Sequence, residues 1–252
     1  TSGTTGDPKG VMLSHRNLLQ NTTSIVEYLE LTSEDSVANV LPFHYSYGNS
    51  VLHSHLMVGG RIVLENSMTF PGKLLETMAR ERVSGFYGVP STYAILLSRV
   101  PLKDYDLSAI RYMAQAGGPM PPAKVDALTG LLPHVRFFVM YGQTEATARL
   151  TYLPSDRLRE KLGSCGIPVP GVEIEIRDAD GQVCGAGAPG EIYARGPNIM
   201  LGYWRSGEAT RRVLVDGWLK TGDLAHWDED GYIYIDGRAS DMIKSGAHRI
   251  SP

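Results

Sequence analysis

Between residues 36 and 140 the sequence alternates short apolar runs with amphipathic stretches. That alternation restricts the fold more than any other feature of the chain. Ser36–Leu41, Arg61–Glu65, Gly85–Val89, Arg111–Gln115 and Val135–Met140 read as strands. Tyr47–Val58, Pro71–Arg82, Pro90–Arg99 and Pro121–Leu132 read as helices between them. Gly59-Gly60 stops the first of these helices, and Leu74, Leu75 and Met78 form the inward face of the second. Strands alternating with helices over short connections predict a parallel sheet covered by helices. Upstream, Ser14 can cap a helix whose apolar face carries Leu18, Leu19, Ile25, Val26 and Leu29, ending near Leu31-Thr32.

From about Gly163 the helical spacing fades. Val172–Arg177, Gly190–Gly196, Trp218–Trp227 and Tyr232–Asp236 read as short strands, joined in part by Asp-Gly turns at 178–181 and 228–231. That pattern suggests an antiparallel sheet or small barrel. The expected fold class is therefore α/β: a parallel-rich sheet with flanking helices, then a small antiparallel β-barrel-like subdomain. The expected division is 1–162 for the first part and 163–236 for the second.

A chain of 252 residues with 42% hydrophobic content can bury a substantial core. Its 24 basic and 27 acidic side chains give a net charge of −3, which argues against a nucleic-acid partner. No apolar run approaches membrane-spanning length. Cys165 and Cys184 have no metal-type spacing and read as free thiols in a reducing cytosol, so the expected localisation is cytoplasmic.

The first ten residues, Thr1-Ser2-Gly3-Thr4-Thr5-Gly6-Asp7-Pro8-Lys9-Gly10, hold hydroxyls, glycines and one lysine. Glycines let successive backbone N–H groups form a concave anion site, and Lys9 adds a point charge. A polar hairpin turn accounts for the same composition. A Walker A loop does not, because Gly follows Lys9 where that motif has Ser or Thr.

Three later segments follow predicted strands, where ligands sit on a parallel sheet. Pro42-Phe43-His44-Tyr45-Ser46-Tyr47-Gly48 has the composition of a pocket wall, with His44, Tyr45 and Tyr47 as candidates. A structural histidine fits His44 as well. Gly117-Gly118-Pro119 allows a ring or acyl chain to approach the backbone, or makes a tight strand-to-helix turn. Tyr141-Gly142-Gln143-Thr144-Glu145 offers an aromatic face, a hydroxyl and a hard oxygen ligand for Mg²⁺, or is a loop entering a capped helix. Farther on, Asp223 in Thr221-Gly222-Asp223-Leu224 can accept two ribose hydroxyls or cap a turn.

TSGTTGDPKG resembles the phosphate loop of the adenylate-forming superfamily, which includes acyl-CoA synthetases, luciferases and peptide-synthetase adenylation domains. YGQTEA and TGDL are similar to two further signatures of that family, and LPFHYSYG to its acyl-pocket segment. The resemblance implies that Thr1, Ser2, Gly3, Thr4, Thr5, Gly6 and Lys9 meet the phosphates of ATP. It implies that Tyr141 flanks adenine; Gly117, Gly118, Pro119 and Gly142 are taken with it as cofactor-binding. Thr144 would meet phosphate, Glu145 would hold Mg²⁺, and Asp223 would hold ribose. Residues 237–252 resemble the family's hinge and the start of its C-terminal domain, and Arg238, in Gly237-Arg238-Ala239-Ser240-Asp241, would reach ribose or phosphate there. Lys244 matches a lysine used by relatives in the second half-reaction. Gly190–Tyr203 resembles another family segment and reads as structural.

The implied activity is AMP-forming ligation of a small carboxylic acid to a thiol. Coenzyme A is the expected co-substrate, with an acyl carrier protein as the alternative acceptor. A non-catalytic nucleotide-binding module is the alternative from another class. Amino-acid-activating relatives carry Asp after the Phe of the pocket segment, where this chain has His44. A buried ammonium without a counter-charge is costly, so an acid lacking an α-amine is expected. The chain opens on the phosphate loop and has no match for the family's late lysine. It is therefore expected to be a fragment, lacking the start of the large domain and most of the C-terminal one, and a poor adenylating enzyme alone.

Overall fold

The computed structural model describes residues 8–65 and 68–239, together with the backbone of two short strands at 243–245 and 248–250. The first part runs β1 (Val11–Met12), α1 (His15–Leu29), β2 (Ser36–Asn39), α2 (Ser46–Val58), β3 (Arg61–Leu64), α3 (Pro71–Arg80) and β4 (Gly85–Gly88). It continues with α4 (Pro90–Arg99), β5 (Tyr112–Gln115), α5 (Pro122–Leu131), β6 (Arg136–Tyr141), β7 (Thr151–Leu153) and β8 (Ile167–Pro168). Then come β9 (Glu173–Arg177), β10 (Gly190–Arg195), β11 (Gly202–Tyr203), α6 (Gly207–Val213), β12 (Leu214–Val215), β13 (Trp218–Trp227) and β14 (Ile233–Arg238). The last two strands are β15 (Ile243–Ser245) and β16 (His248–Ile250).

Seven strands form one sheet in the order β3-β2-β4-β5-β6-β7-β8. The first five are parallel, and β7 and β8 add antiparallel at one edge. Each expected strand and helix of the alternating region is present, with ends shifted by a residue or two. The added edge was not anticipated, because three- and two-residue strands carry too little periodicity to read.

The central strands β2, β4 and β5 are buried along their whole length, as a sheet covered on both faces requires. Side chains alternate between two apolar layers. Phe86, Met113 and Phe137 pack with Leu74, Leu75, Met78 and Leu96 of α3 and α4. Tyr87, Ala114 and Phe138 pack on the opposite face with Ile25, Leu29 and Val51 of α1 and α2. The chain passes from β2 to β3 on one side and then crosses to β4 on the other, so the winding reverses there. In such sheets the crevice at the carboxyl ends of the strands receives the ligand.

α1 starts as the sequence predicts. The Asn17 N–H donates to Ser14 Oγ at 3.1 Å, and the Ser14 N–H donates to Asn17 Oδ1 at 2.8 Å, a reciprocal cap.

The second part is a five-stranded antiparallel sheet in the order β12-β13-β10-β9, with β14 also paired to β13. Register shifts in the β10–β13 pairing between Glu191 and Tyr193, and in the β13–β14 pairing between Leu224 and Ala225. These bulges bend the sheet beside Asp223. The short helix α6 was not anticipated; none of its residues is fully buried, and its two apolar contacts with the core, Ala209 and Val213, are too few to read as a helical period.

Candidate active site

A cleft of about 1260 Å³ opens where the carboxyl ends of β5 and β6 face β13 and β14. The parallel sheet brings three of its walls together. After β2 the chain delivers His44, Tyr45 and Ser46; after β5 it delivers Gly117, Gly118 and Pro119; after β6 it delivers Gly142, Thr144 and Glu145. Lys9 also lines the cleft, as do Asp223, Asp236 and Arg238 of the second sheet.

Glu145 sits in a short 3₁₀ turn, Thr144–Ala146, and is only 8% exposed. Its Oε1 accepts a hydrogen bond from the Tyr203 hydroxyl at 2.8 Å. The Lys9 ammonium lies over the Tyr203 ring, 5.3 Å from its centre. Burial and the adjacent Glu145 carboxylate push the Tyr203 phenol well above its ordinary value, so it stays a donor. Thr144 Oγ1 is 3.4 Å from Ser46 Oγ, at the start of α2.

Gly142 makes this loop possible. The Tyr141 carbonyl accepts from the Leu150 N–H at 2.9 Å, which closes the loop. A Cβ on Gly142 would collide with the carbonyl oxygen of Ala148 and come within 2.8 Å of the Arg149 Cα.

Asp223 is presented by the bulge in β13. Gly222 has φ +80°, a conformation that side chains rarely adopt, and its N–H donates to Glu191 Oε1 at 3.0 Å. The Asp223 carboxylate accepts from the Tyr141 hydroxyl at 2.6 Å and pairs with Arg238 Nε at 3.1 Å. Burial raises the Asp223 carboxyl above the usual carboxylate range, against the pull of Tyr141 and Arg238. Burial, and then the Asp223 charge, push the Tyr141 phenol well above its ordinary value. Cys165 also lines the cleft, but burial pushes its thiol up to about 12, so it is not an ionised nucleophile at neutral pH.

Most of the residues expected from the sequence meet here. Tyr47 does not. It is 2% exposed, its hydroxyl donates to the Ala114 carbonyl at 2.9 Å, and its ring lies under the Arg149 guanidinium at 4.3 Å. The segment enters α2 at Ser46, and the helical turn carries Tyr47 away from the cleft and into the core. Thr1, Ser2, Gly3, Thr4, Thr5 and Gly6 lie outside the described residues. Lys244 falls on the β15 backbone, and its side chain lies outside the described residues too.

Tyr203 and Gln115 are among the residues the sequence reading missed. Tyr203 belongs to a segment read as structural, yet it bridges Lys9 and Glu145. Gln115 is fully buried at the end of β5, and its Nε2 donates to the Gly118 carbonyl at 2.6 Å, which holds the glycine turn in place. A fully polar amide closing a buried strand was the available signal.

The donor set suits a phosphate-borne magnesium. No group of three or more His, Cys, Asp or Glu among the described residues could cage a metal. Magnesium is commonly held by one or two carboxylates together with substrate phosphates and water, and Glu145 offers one such carboxylate.

The chain matches the AMP-binding enzyme family over residues 1–204, and it belongs to that family. Over 254 residues it is 36% identical to a feruloyl-CoA synthase from Amycolatopsis, covering 100% of this chain and 51% of that protein. The o-succinylbenzoate coenzyme A synthetase of Bacillus subtilis, solved with ATP and magnesium ion, superposes with a TM-score of 0.92 at 34% identity. That match covers 100% of this chain and 52% of the synthetase. The amide bond synthetase McbA of Marinactinospora thermotolerans gives a TM-score of 0.91 at 33% identity, over 98% of this chain and 49% of its own. The chain thus spans about half the length of the proteins it matches. No helix among the described residues is long and apolar enough to cross a membrane.

Proposed function

We propose that the protein to which this chain belongs activates a carboxylic acid with ATP and passes the acyl group to a thiol, with coenzyme A as the acceptor. A substrate carboxylate oxygen attacks the α-phosphorus of ATP. The bond from that phosphorus to the bridging oxygen breaks, and pyrophosphate leaves as acyl-adenylate forms. The thiol sulfur then attacks the acyl carbon, the thiol loses its proton, and AMP leaves with the bonding pair.

Neither step calls for a protein nucleophile. The first needs two anions aligned and their charge neutralised. Lys9 and the Thr144 hydroxyl supply positive potential and a donor along the phosphates. Glu145 holds magnesium, which when bound neutralises phosphate charge. Asp223 accepts the ribose hydroxyls, and Arg238 holds the Asp223 carboxylate. The Tyr141 ring, anchored through its hydroxyl, flanks adenine with Gly117, Gly118 and Pro119. His44 and Tyr45 face the acid. No carboxylate stands beside Phe43 to meet an α-ammonium, which supports an acid without one.

One observation carries this reading. The carboxylates of Glu145 and Asp223, one after a strand of the first sheet and one on the second sheet, line the same cleft as Lys9 and Thr144. The test is acid-dependent exchange of pyrophosphate into ATP by the intact protein. Glu145→Ala is expected to lower magnesium-dependent exchange by on the order of a hundredfold or more. Unchanged exchange removes Glu145 from the site. Product analysis with coenzyme A and with a carrier protein then identifies the acceptor.

A further inference from the structure

Thr147 has φ +67° and ψ −56°, and the Ala148 N–H donates to the Ala146 carbonyl at 2.8 Å. This is a γ-turn of the rare, strained sense, and it falls on a β-branched residue. Such a conformation persists only where the surroundings impose it.

The surroundings are the Pro197–Tyr203 segment. The Thr147 hydroxyl donates to the Asn198 carbonyl at 2.6 Å. Asn198 Nδ2 donates to the carbonyls of Ala146 at 3.2 Å and Arg149 at 3.0 Å, which bracket the strained residue. The Met200 N–H donates to the Glu145 carbonyl at 2.8 Å. Asn198 is 1% exposed and Thr147 is 6% exposed. Asn198 is itself held from α1, where Asn17 Nδ2 donates to the carbonyls of Pro197 at 2.7 Å and Ile199 at 2.8 Å. The same segment ends at Tyr203, which donates to the Glu145 carboxylate.

The turn that carries Glu145 ends at Ala146, so the γ-turn at Thr147 fixes how that turn leaves the sheet. We propose that Asn198 and Thr147 are positioning residues for the Glu145 carboxylate. They hold it on the magnesium of Mg·ATP without touching the nucleotide. The proposal rests on the reading of Glu145 as the magnesium ligand. Outer groups that orient a metal ligand typically matter by about tenfold to a hundredfold in metal affinity or activity.

The test is nucleotide affinity by calorimetry on the intact protein, in magnesium and in EDTA. The ratio of the two affinities isolates the metal's contribution. Asn198→Ala and Thr147→Val are expected to lower that ratio by about tenfold or more, with affinity in EDTA unchanged. Thr147→Ser, which keeps the hydroxyl, retains the ratio. Thr147→Gly tolerates the backbone angle, so it folds regardless of strain, and it lowers the ratio because the hydroxyl is gone. Glu145→Gln sets the floor. If Glu145→Gln collapses the ratio while Asn198→Ala and Thr147→Val keep it, the positioning role is overturned and the metal reading stands. A fall in both affinities by the same factor, with a lower melting temperature, also overturns it, because the segment then only supports the fold. If Glu145→Gln leaves the ratio intact, the metal reading fails and the proposal fails with it.

Discussion

Tyr141→Phe removes one hydroxyl and tests the electrostatics around Asp223, the group proposed above to hold the ribose. In the folded protein that hydroxyl donates to Asp223 at 2.6 Å, and Asp223 is 5% exposed. Burial already raises the Asp223 carboxyl; the Tyr141 hydrogen bond and the Arg238 pair oppose the rise. Arg238 is half exposed, so solvent screens its share. A hydrogen bond to a charged group contributes about 1.5–3 kcal/mol, and about 1.4 kcal/mol corresponds to a tenfold change in the protonation equilibrium. Loss of the hydroxyl should therefore favour the protonated Asp223 by about tenfold or more. Only the ionised carboxylate can accept both ribose hydroxyls without donating. ATP affinity is then lost as pH falls through the Asp223 titration. In Tyr141→Phe that acid limb should lie higher by at least about one pH unit. Calorimetric titration of ATP across the acid range, wild type beside variant, measures the limb. Coincident limbs would refute the coupling of Tyr141 to Asp223 and the ionised state of Asp223 in binding.

The same raised carboxyl has the opposite consequence for stability. A carboxyl raised by folding favours the folded state at low pH and costs stability as pH rises through its folded value. Asp223→Asn should therefore melt above wild type at neutral pH, with the difference shrinking as pH falls; a lower melting temperature at neutral pH contradicts this. His55 works the other way. It is fully buried, its Nδ1–H donates to the Val51 carbonyl at 2.9 Å, and its Nε2 accepts from the Tyr112 hydroxyl at 2.8 Å. Burial lowers its pKa, so the folded state keeps it neutral and loses stability as pH falls below the unfolded value of about 6.5. Denaturation curves should show a weaker pH dependence between neutral and mildly acidic solution in His55→Gln; an equal slope assigns that dependence to other groups. Gly142→Ala should destabilise by about 1–3 kcal/mol or more, because its Cβ meets backbone that cannot yield. Gly130→Ala, in α5 with nothing near its Cβ, should stabilise by about 0.5–1 kcal/mol. Chemical denaturation of the pair decides, and similar effects from both would discount the close approach at Gly142.

The strand–helix alternation was legible because the central strands are buried on both faces and helices such as α3 bury one apolar side. Ser14 and Gly59 mark helix ends by chemistry that acts within a few residues, so local sequence reveals them. Asp223 was legible as a carboxylate at a strand bend because Gly222 announces the bend. Tyr47 was not. Whether a residue after a strand faces the cleft or the core depends on where the next helix begins, and two residues separate Tyr45 in the cleft from Tyr47 in the core. Tyr203 and Asn198 were illegible for a different reason. They act on a loop about fifty residues away in sequence, through contacts that exist only when the 197–203 segment packs against the Glu145 turn. Nothing local to Gly196-Pro197-Asn198 distinguishes a clamp from an ordinary turn.

The proposed chemistry requires a single nucleotide reaching from Lys9 to Asp223. A crystal structure of the intact protein with ATP and magnesium measures that directly. It should place the ribose hydroxyls on the Asp223 carboxylate, the metal on Glu145, and the adenine beside Tyr141. Nucleotide bound elsewhere, or in this cleft with both carboxylates out of reach, would contradict it.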